Sequence, residues 1–312
     1  MKTFTLSTTD LTVPAVIAGM MRIREMDDDS IRTLVRTALD QGINFFDHAD
    51  IYGGTYHFCE QRFAEACQWT PAQRAEVVLQ TKCGIVRDQA GTHFDFSRDH
   101  ILAQVDGSLA ALRTDYLDIL LLHRPDTLVE PEEVAQAFDQ LKQSGKVLHF
   151  GVSNHTPGQI ALLQKYVRQP LVVNQVQLSL TASPLIAQGV AMNMLDEDQS
   201  VSRDSGLLDY CRLNDITLQA WSPFQSGFFT GVFLGDPQYA DLNQVMNRLA
   251  KQYEVTPMAI ATAWITRHPA NIQVVLGTTK PARVIEAAAG AEIPLTRSEW
   301  YELFRTAGHI VP

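Results

Sequence analysis

Four polar side chains that follow short apolar runs could together polarise and protonate a carbonyl group during its reduction, provided that another group supplies hydride. Asp47 and Tyr52 lie in FFDHADIYGG, Lys82 lies in LQTKCGI, and His123 lies in DILLLHRPD. A phenol has an ordinary pKa of about 10, so Tyr52 is a poor acid at neutral pH unless a neighbour helps. We expect the Lys82 ammonium to lower the pKa of Tyr52, and Asp47 to fix the position of Lys82. Tyr52 and His123 could then both donate to one substrate oxygen.

Other chemistry is open to the same residues. Lys82 could form a Schiff base, as in barrel aldolases, if its amine were desolvated and unpaired. Asp47, His48 and Asp50 could ligate a metal, but no His-x-His occurs at a strand end. Four such residues at neighbouring strand ends favour acid–base chemistry, and we expect no metal.

The elements that must position these side chains are short β-branched runs, each followed by a stretch with helical periodicity. The runs are AVIAG, INFFD, VVLQTK, YLDILLLH, KVLHFGV, LVVNQV, ITLQAW and IQVVLG. They lack the polar alternation of a half-exposed sheet, which is typical of parallel strands covered by helices. Before them, residues 3–6 and 11–13 predict a β-hairpin.

Helix boundaries are indicated by capping residues. Asp27 and the two carboxylates after it predict the start of the first helix, and Gly42 predicts its end. Ser97 predicts another helix start, and Pro131 predicts a first turn. The apolar face of the first helix is predicted to contain Ile31, Leu34, Val35, Ala38 and Leu39.

Eight unbroken βα units fit either a closed barrel or a doubly wound sheet. The G-x-G-x-x-G turn of dinucleotide-binding open sheets is missing from every predicted strand end. We therefore predict an α/β fold, a (β/α)8 barrel with an N-terminal hairpin plug and a C-terminal helix, as one domain over residues 1–312. Chemistry in such barrels gathers at the carboxyl ends of the strands.

Composition excludes several classes of protein. The 312 residues include 25 Lys and Arg against 35 Asp and Glu, a formal net charge of −10, and 46% are hydrophobic. This argues against intrinsic disorder, nucleic-acid binding and capture on anionic membranes. The chain starts without a signal-peptide pattern, has no apolar run near the ~20 residues that span a bilayer, and has four cysteines without a C-x-x-C pair. We expect a cytoplasmic protein, monomeric or weakly homo-oligomeric.

Seven segments, in order, resemble the aldo-keto reductase superfamily. They are FFDHADIYGG, LQTKCGI, DILLLHRPD, GKVLHFGVSN, VVNQVQLSL, LQAWSPF and VVLGTTKPAR. DHADIYGG together with the ending RTAGHIVP resembles a bacterial branch of NADP-dependent oxidoreductases in that superfamily. The resemblance implies a catalytic tetrad of Asp47, Tyr52, Lys82 and His123, with Tyr52 as proton donor. It also implies reduction of aldehydes or ketones to alcohols by hydride from a nicotinamide cofactor.

The resemblance further implies which residues hold that cofactor. Ser153 and Asn154 would hold the carboxamide beside Gln175, and Trp221 would stack on the nicotinamide. The remaining contacts implied are Gly19 and Met20 at the nicotinamide, and Ser222, Pro223, Phe224 and Ser226 along the pyrophosphate. A helix N-terminus with Lys and Arg suits a phosphate, so Gly277, Thr278, Thr279, Lys280 and Arg283 favour NADPH over NADH.

Two segments are candidates for the substrate pocket. Residues 181–206, with Met192, Met194 and the acidic run Asp196, Glu197 and Asp198, predict a flap with a local helix near the substrate or cofactor. Residues 88–95, with His93 and Phe94, predict another wall, and Met21, Phe94 and Phe228 would favour substrates with hydrophobic groups. An alternative function is a cofactor-binding redox sensor or regulatory subunit on the same barrel.

Overall fold

Parallel strands close into a barrel in a computed structural model that describes residues 1–89, 91–194 and 197–312. Around the barrel the order is β3, β4, β5, β8, β9, β10, β11 and β12, and β12 pairs with β3. The strands are β1 (Thr3–Thr5), β2 (Thr12–Pro14), β3 (Val16–Gly19), β4 (Phe45–Asp47), β5 (Val78–Cys83), β6 (Ile85–Asp88), β7 (Gly91–Phe94), β8 (Leu117–Leu122), β9 (Val147–Ser153), β10 (Leu171–Gln177), β11 (Thr217–Trp221) and β12 (Gln273–Leu276). The predicted (β/α)8 barrel and all eight of its strands are confirmed.

Helices connect the barrel strands and cover their outer faces. They are α1 (Asp28–Asp40), α2 (Phe58–Cys67), α3 (Pro71–Ala75), α4 (Arg98–Leu112), α5 (Pro131–Gln143), α6 (Pro157–Tyr166), α7 (Pro184–Val190), α8 (Leu207–Leu213), α9 (Ala240–Gln252), α10 (Pro257–Thr266), α11 (Pro281–Ala289) and α12 (Arg297–Thr306). Within the described ranges, no helix is long and apolar enough to cross a membrane.

The hydrophobic core has two parts. The larger part lies between the strands and the helices, as expected for strands that are buried on both sides. The smaller part fills the barrel interior, where Leu6 and Val13 pack with Ile17, Phe45 and Ile119 of the strands. Since Leu6 and Val13 belong to the segment around the antiparallel pair β1 and β2, the predicted hairpin does plug the barrel.

The predicted helix starts are confirmed, with one error on an apolar face. The Asp27 carboxylate accepts a hydrogen bond from the Ser30 backbone (2.7 Å), and Ser97 caps α4 in the same way. Leu39, however, is 37% exposed, whereas Ala38 beside it is fully buried. Each helical residue turns about 100° from the last, so Leu39 lies at the edge of the buried stripe.

Gly151 leaves the space that lets three neighbouring strands approach each other inside the barrel. A Cβ atom at this position in β9 would lie 2.7 Å from the Leu121 side chain and 2.7 Å from the Val173 backbone oxygen. A backbone oxygen in a barrel strand cannot move aside without disturbing the sheet. Gly151 is two residues before Ser153, so this close packing also fixes the carboxyl end of β9.

We expect Gly151→Ala to lower the free energy of unfolding by about 1–3 kcal/mol, because overpacking forces the strands apart. Urea unfolding followed by circular dichroism measures this change. The matched control is Gly158→Ala in the first turn of α6, where a Cβ would meet no atom within 4 Å. That control is expected to gain about 0.5–1 kcal/mol from the better helix propensity of alanine. Equal stability of both variants would contradict the packing argument.

Candidate active site

A buried ion pair joins the ends of two neighbouring strands. Lys82 on β5 is fully buried, and Asp47, the last residue of β4, is 2% exposed. The Lys82 Nζ donates to Asp47 Oδ2 (2.6 Å), to the His48 backbone oxygen (2.8 Å) and to the Tyr52 hydroxyl (3.1 Å). An ammonium has three donors, and all three are therefore used within the protein.

The surroundings of Lys82 keep it positively charged. Burial alone would lower the pKa of this ammonium, but the Asp47 carboxylate and the Tyr52 hydroxyl outweigh burial, so the pKa is raised. A Schiff base requires an unprotonated and unpaired amine. The geometry therefore disfavours the aldolase alternative and favours an electrostatic role for Lys82.

The pKa of Tyr52 is shifted in the direction opposite to the expected one. Burial raises the pKa of the phenol, and the nearby Lys82 ammonium opposes this without reversing it. The expected net lowering of the pKa is therefore wrong for the protein alone, because desolvation of the phenolate outweighs its attraction to Lys82. Tyr52 remains a hydroxyl that can donate a proton.

His123 directly follows β8 and faces Tyr52, with the two rings edge to face and their centroids 5.9 Å apart. Burial lowers the pKa of His123 well below its ordinary value, and the positive charges of Lys82, Arg124 and Arg87 act in the same direction. The imidazole is therefore neutral near pH 7. A neutral imidazole carries one N–H, which suits it to donate a hydrogen bond rather than a proton.

Two buried glutamine side chains hold Asp47 across the barrel interior, and a third joins them. Gln80 of β5 (2.6 Å) and Gln175 of β10 (3.1 Å) both donate to Asp47 Oδ1. Both amides also donate to Gln219 Oε1 of β11, each at 2.9 Å. Gln80 and Gln219 were not predicted as site residues, although a glutamine inside the apolar runs VVLQTK and ITLQAW was a usable signal.

Asp50 is a second buried carboxyl group close to the ion pair. Its backbone N–H donates to the Lys82 carbonyl (3.0 Å), and its side chain is fully buried. Burial raises the pKa of Asp50 to about 8, Glu60 adds to this rise, and the Ile51 backbone amide and Lys82 oppose it. Asp50 is thus largely protonated at neutral pH.

A cavity of about 590 Å³ opens at the carboxyl ends of the barrel strands. Asp47, Tyr52 and His123 reach it, while Lys82 lies behind Tyr52. The other predicted residues that line the cavity are Gly19, Ser153, Asn154, Gln175, Trp221, Ser222, Pro223, Phe224, Gly277, Thr278 and Arg283. The predicted tetrad is therefore assembled at one end of a single cavity.

Asn154 links several of these residues. Its amide nitrogen donates to the His123 carbonyl (3.2 Å), and its amide oxygen accepts from the Trp221 indole (3.0 Å). Asn154 and Ser222 both have positive φ angles, 61° and 52°. Such backbone conformations are unfavourable for residues other than glycine and often occur at functional sites. The cavity wall after β9 and β11 is therefore held in a defined, slightly strained shape.

Comparison with known proteins identifies the family. The model of the Aldo/keto reductase family matches residues 15–305. The chain belongs to the aldo/keto reductase family. It is 37% identical to the "uncharacterized oxidoreductase YcsN" of Bacillus subtilis (97% of each chain) and 34% identical to a 6-dehydroglucose reductase of Agrobacterium fabrum (95% of each). The crystal structure of the thermostable aldo-keto reductase Tm1743 has the same fold, with a TM-score of 0.77 at 23% identity over 98% of this chain and all of that one.

Family membership and these relatives make the protein an oxidoreductase that acts on carbonyl or alcohol groups. Aldo/keto reductases generally use nicotinamide cofactors. Among the described residues of this aldo/keto reductase, no group of three or more His, Cys, Asp or Glu side chains could hold a metal ion.

Several residues predicted to hold a cofactor lie outside the cavity lining. Met20 is 1% exposed in the core, and Met21 next to it lines the cavity instead. Ser226 contacts Thr230 across its own loop (3.1 Å). Thr279 and Lys280 directly precede α11. The Lys280 backbone N–H donates a hydrogen bond to the Thr278 hydroxyl (3.1 Å).

Arg22 is a cavity residue that the sequence analysis missed. It follows β3 in the segment MMRIRE, lines the cavity, and donates from Nη1 to the Gly277 carbonyl (3.2 Å). Arg283 of α11 lines the same end. The positively charged residues that line the cavity near Gly277 are therefore Arg22 and Arg283, whereas Lys280 is exposed and does not belong to the lining.

The predicted substrate walls need correction. Met21 and Phe228 line the cavity as expected, but Phe94 on β7 does not and is 39% exposed; Ile85 and Arg87 on the paired strand β6 line it instead. Phe94 is paired directly with Ile85, so the two side chains lie on the same face of the hairpin, and it is the β6 residue of this pair that reaches the cavity.

Residues 181–206 contain the predicted local helix, α7, but their expected place at the pocket is wrong for the part that the structure describes. They pack against the C-terminus: Ser183 Oγ lies 2.8 Å from His309 Nε2, and Gln199 exchanges hydrogen bonds with the Ile310 backbone. Asp196 of the predicted acidic run lies outside the described residues.

Because the pKa of Asp50 is raised in the folded protein, we expect Asp50 to make the free energy of unfolding depend on pH. The folded protein keeps a proton that the unfolded chain releases above about pH 4, so this group's contribution to stability is lost as pH rises toward about 8. The Asp50→Asn variant carries an amide in place of the carboxyl group, and this amide does not titrate. Relative to the wild type, we expect the variant's free energy of unfolding to rise with pH across this window, by up to ~1.4 kcal/mol per pH unit, and to level off above it.

Urea unfolding of both proteins over this pH range measures the difference, and pH effects of the buried histidines cancel because both proteins share them. A difference that is the same at every pH would contradict the assignment of a protonated Asp50.

Proposed function

We propose that this protein reduces aldehydes or ketones to alcohols with NADPH, and that Tyr52 donates the proton. The observation that carries this proposal is the chain of contacts from Asp47 through Lys82 to the Tyr52 hydroxyl, with distances of 2.6 and 3.1 Å, ending at the cavity beside His123. This chain places a protonated phenol next to a fixed positive charge, which is the arrangement that general acid catalysis by a tyrosine needs.

The cavity suits a nicotinamide dinucleotide. Ser153, Asn154 and Gln175 present amide and hydroxyl groups near His123, and Trp221 offers an aromatic face beside them. At the other end, Arg22 donates to the carbonyl of Gly277, which precedes α11, and Arg283 of α11 lines the same cavity. Two guanidinium groups at a helix N-terminus suit a phosphate monoester, which favours NADPH over NADH. When bound, the nicotinamide supplies the hydride.

The residues of the chain supply the proton and the charge stabilisation. Tyr52 donates its proton to the substrate oxygen as negative charge develops there, and the C=O group becomes C–OH. The phenolate left on Tyr52 is stabilised by the Lys82 ammonium 3.1 Å away, and Tyr52 then regains a proton from water. The neutral His123 donates a hydrogen bond to the same substrate oxygen and so orients it.

The pKa of Tyr52 fits this role. Because burial holds the proton on the phenol, Tyr52 loses it only when the substrate oxygen becomes strongly basic during reduction. Lys82 limits the cost of the phenolate at that moment. The 34% identical relative named a 6-dehydroglucose reductase supports reduction as the direction of the reaction.

Tyr52→Phe is expected to lower kcat/KM for an aldehyde by about 100-fold or more, while NADPH binding remains, because general acid catalysis contributes roughly that factor. NADPH absorbance with a panel of aldehydes and ketones measures the rate. Tyr56→Phe is the matched control, since Tyr56 lies on the same loop, is 38% exposed, and donates only to the Ile85 carbonyl (3.2 Å).

Full activity in Tyr52→Phe would show that the proton donor is another group. Tight NADPH binding by the wild type with no turnover across a broad panel would instead contradict the enzyme proposal and favour a cofactor-binding regulatory subunit.

Arg22→Gln and Arg283→Gln together are expected to weaken NADPH binding by about tenfold or more and NADH binding much less, because hydrogen bonds to a charged phosphate are stronger than neutral ones. Fluorescence titration of both cofactors measures this selectivity. Lys280→Gln is the control, since its side chain is exposed outside the cavity. A larger loss in Lys280→Gln than in the arginine variant would contradict the assignment.

A further inference from the structure

Two more arginine side chains line the cavity, on the side away from Gly277. Arg124 directly follows His123 at the end of β8, and Arg87 lies on β6, directly after β5. Both guanidinium groups lie close enough to His123 to contribute to its low pKa. Burial lowers the pKa of Arg124, and the interaction with Tyr52 opposes this lowering. Arg87 and Arg124 therefore lie around the site where a substrate carbonyl would be reduced.

The order of the barrel strands separates this pair from the proposed phosphate site. In the ring β3, β4, β5, β8, β9, β10, β11, β12, strand β8 stands opposite β12 and β5 stands opposite β11. Arg22 and Arg283 follow β3 and β12, on the other side of the opening. A cofactor phosphate held by Arg22 and Arg283 thus leaves Arg87 and Arg124 for a different ligand.

Neither Arg87 nor Arg124 has an acidic partner among the described residues. No ion pair involves either guanidinium, and Asp47, the acidic residue that lines the cavity, is bound to Lys82. Asp88 beside Arg87 faces His93 (3.9 Å), and both Asp126 oxygens near Arg124 accept from backbone N–H groups. The substrate end of the cavity therefore carries two positive charges that no carboxylate of the described residues neutralises; Arg124 is half-buried and Arg87 is exposed to solvent.

Among the described residues, the Arg124 guanidinium contacts an aromatic ring, and this contact does not use its N–H donors. This group lies over the Trp221 ring, 5.9 Å from its centroid, a contact that uses the face of the guanidinium. The N–H donors at its edge remain available. Partial burial of Arg124 costs solvation, which an anion in the cavity would offset.

We propose that Arg87 and Arg124 form a binding site for an anionic group of the carbonyl substrate, a carboxylate or a phosphate. The inference rests on the proposed function, because it places the substrate carbonyl at Tyr52 and His123. The substrate class is then a short oxo acid or a phosphorylated aldehyde or ketone, with Met21, Ile85 and Phe228 lining the same cavity. Guanidinium groups suit both anions because their paired donors match two oxygens at once.

The test compares charged and neutral aldehydes of similar size on the full-length protein with NADPH. One arm uses 4-oxobutanoate and its neutral amide, and the other uses glycolaldehyde phosphate and glycolaldehyde. The wild type is expected to prefer the charged member of at least one pair by about tenfold or more in kcat/KM, as hydrogen bonds to a charged group imply. The arm with the larger preference identifies the anion as carboxylate or phosphate.

Variants assign that preference to the two arginines. In Arg87→Gln and Arg124→Gln the charged-to-neutral ratio is expected to fall severalfold, in the double variant to approach one, and in Arg124→Lys to be partly retained. A ratio measured within each variant cancels any general loss of activity. Arg168→Gln, at the opposite end of the barrel with its side chain 82% exposed, is the control and keeps the wild-type ratio.

A wild-type ratio near one in both arms, or a high ratio that survives in the double variant, would overturn the proposal. No oxidation of NADPH with any of the four aldehydes would contradict the proposed function instead. In that case calorimetric binding of succinate decides the anion site, because binding needs no turnover. Succinate binding that is lost in the double variant supports the site, and succinate binding that is absent from the wild type or unchanged in the double variant rejects it.

Discussion

The buried ion pair between Lys82 and Asp47 is the interaction on which the site depends. An ammonium without access to water costs several kcal/mol unless its donors are all paired. Here the three donors of Lys82 are filled by Asp47, the His48 carbonyl and Tyr52, so the ammonium cannot turn elsewhere. The same requirement therefore fixes the hydroxyl of Tyr52 and leaves it facing the cavity.

Asp47 in turn imposes order on the barrel interior. Its second oxygen accepts from Gln80 and Gln175, and both of these amides meet Gln219, so that strands β4, β5, β10 and β11 share one polar network. Replacing such a network with apolar side chains often stabilises a protein, and its retention is best explained by the positions that it fixes. In this barrel those positions belong to Lys82, the Tyr52 hydroxyl and the cavity wall beside them.

The sequence was sufficient for the barrel and for the grouping of Asp47, Tyr52, Lys82 and His123, because both depend on local patterns. Each strand is an apolar run, and Asp47, Lys82 and His123 lie at strand ends whose relative place follows from barrel closure. The pKa of Tyr52 was predicted in the wrong direction because its burial depends on how the loop after β4 folds. Arg22 was missed for a related reason: its contact with Gly277 joins segments 255 residues apart that are neighbours only because β12 pairs with β3.

The cavity is lined by positively charged side chains, although the molecule as a whole carries a negative net charge. A net charge of −10 repels anions at long range, and this repulsion is screened beyond about 8 Å in physiological salt. Inside the cavity, four arginines stand on two opposite walls, and the lining carboxylate Asp47 is neutralised by Lys82. Under the proposed function the cofactor phosphate is held by Arg22 and Arg283, so Arg87 and Arg124 on the second wall require their own explanation. A ligand that carries its negative charge close to the reacting carbonyl would explain the arginines of the second wall. Such a ligand would reach from Tyr52 to Arg124 and would present its carbonyl to Tyr52 in one orientation.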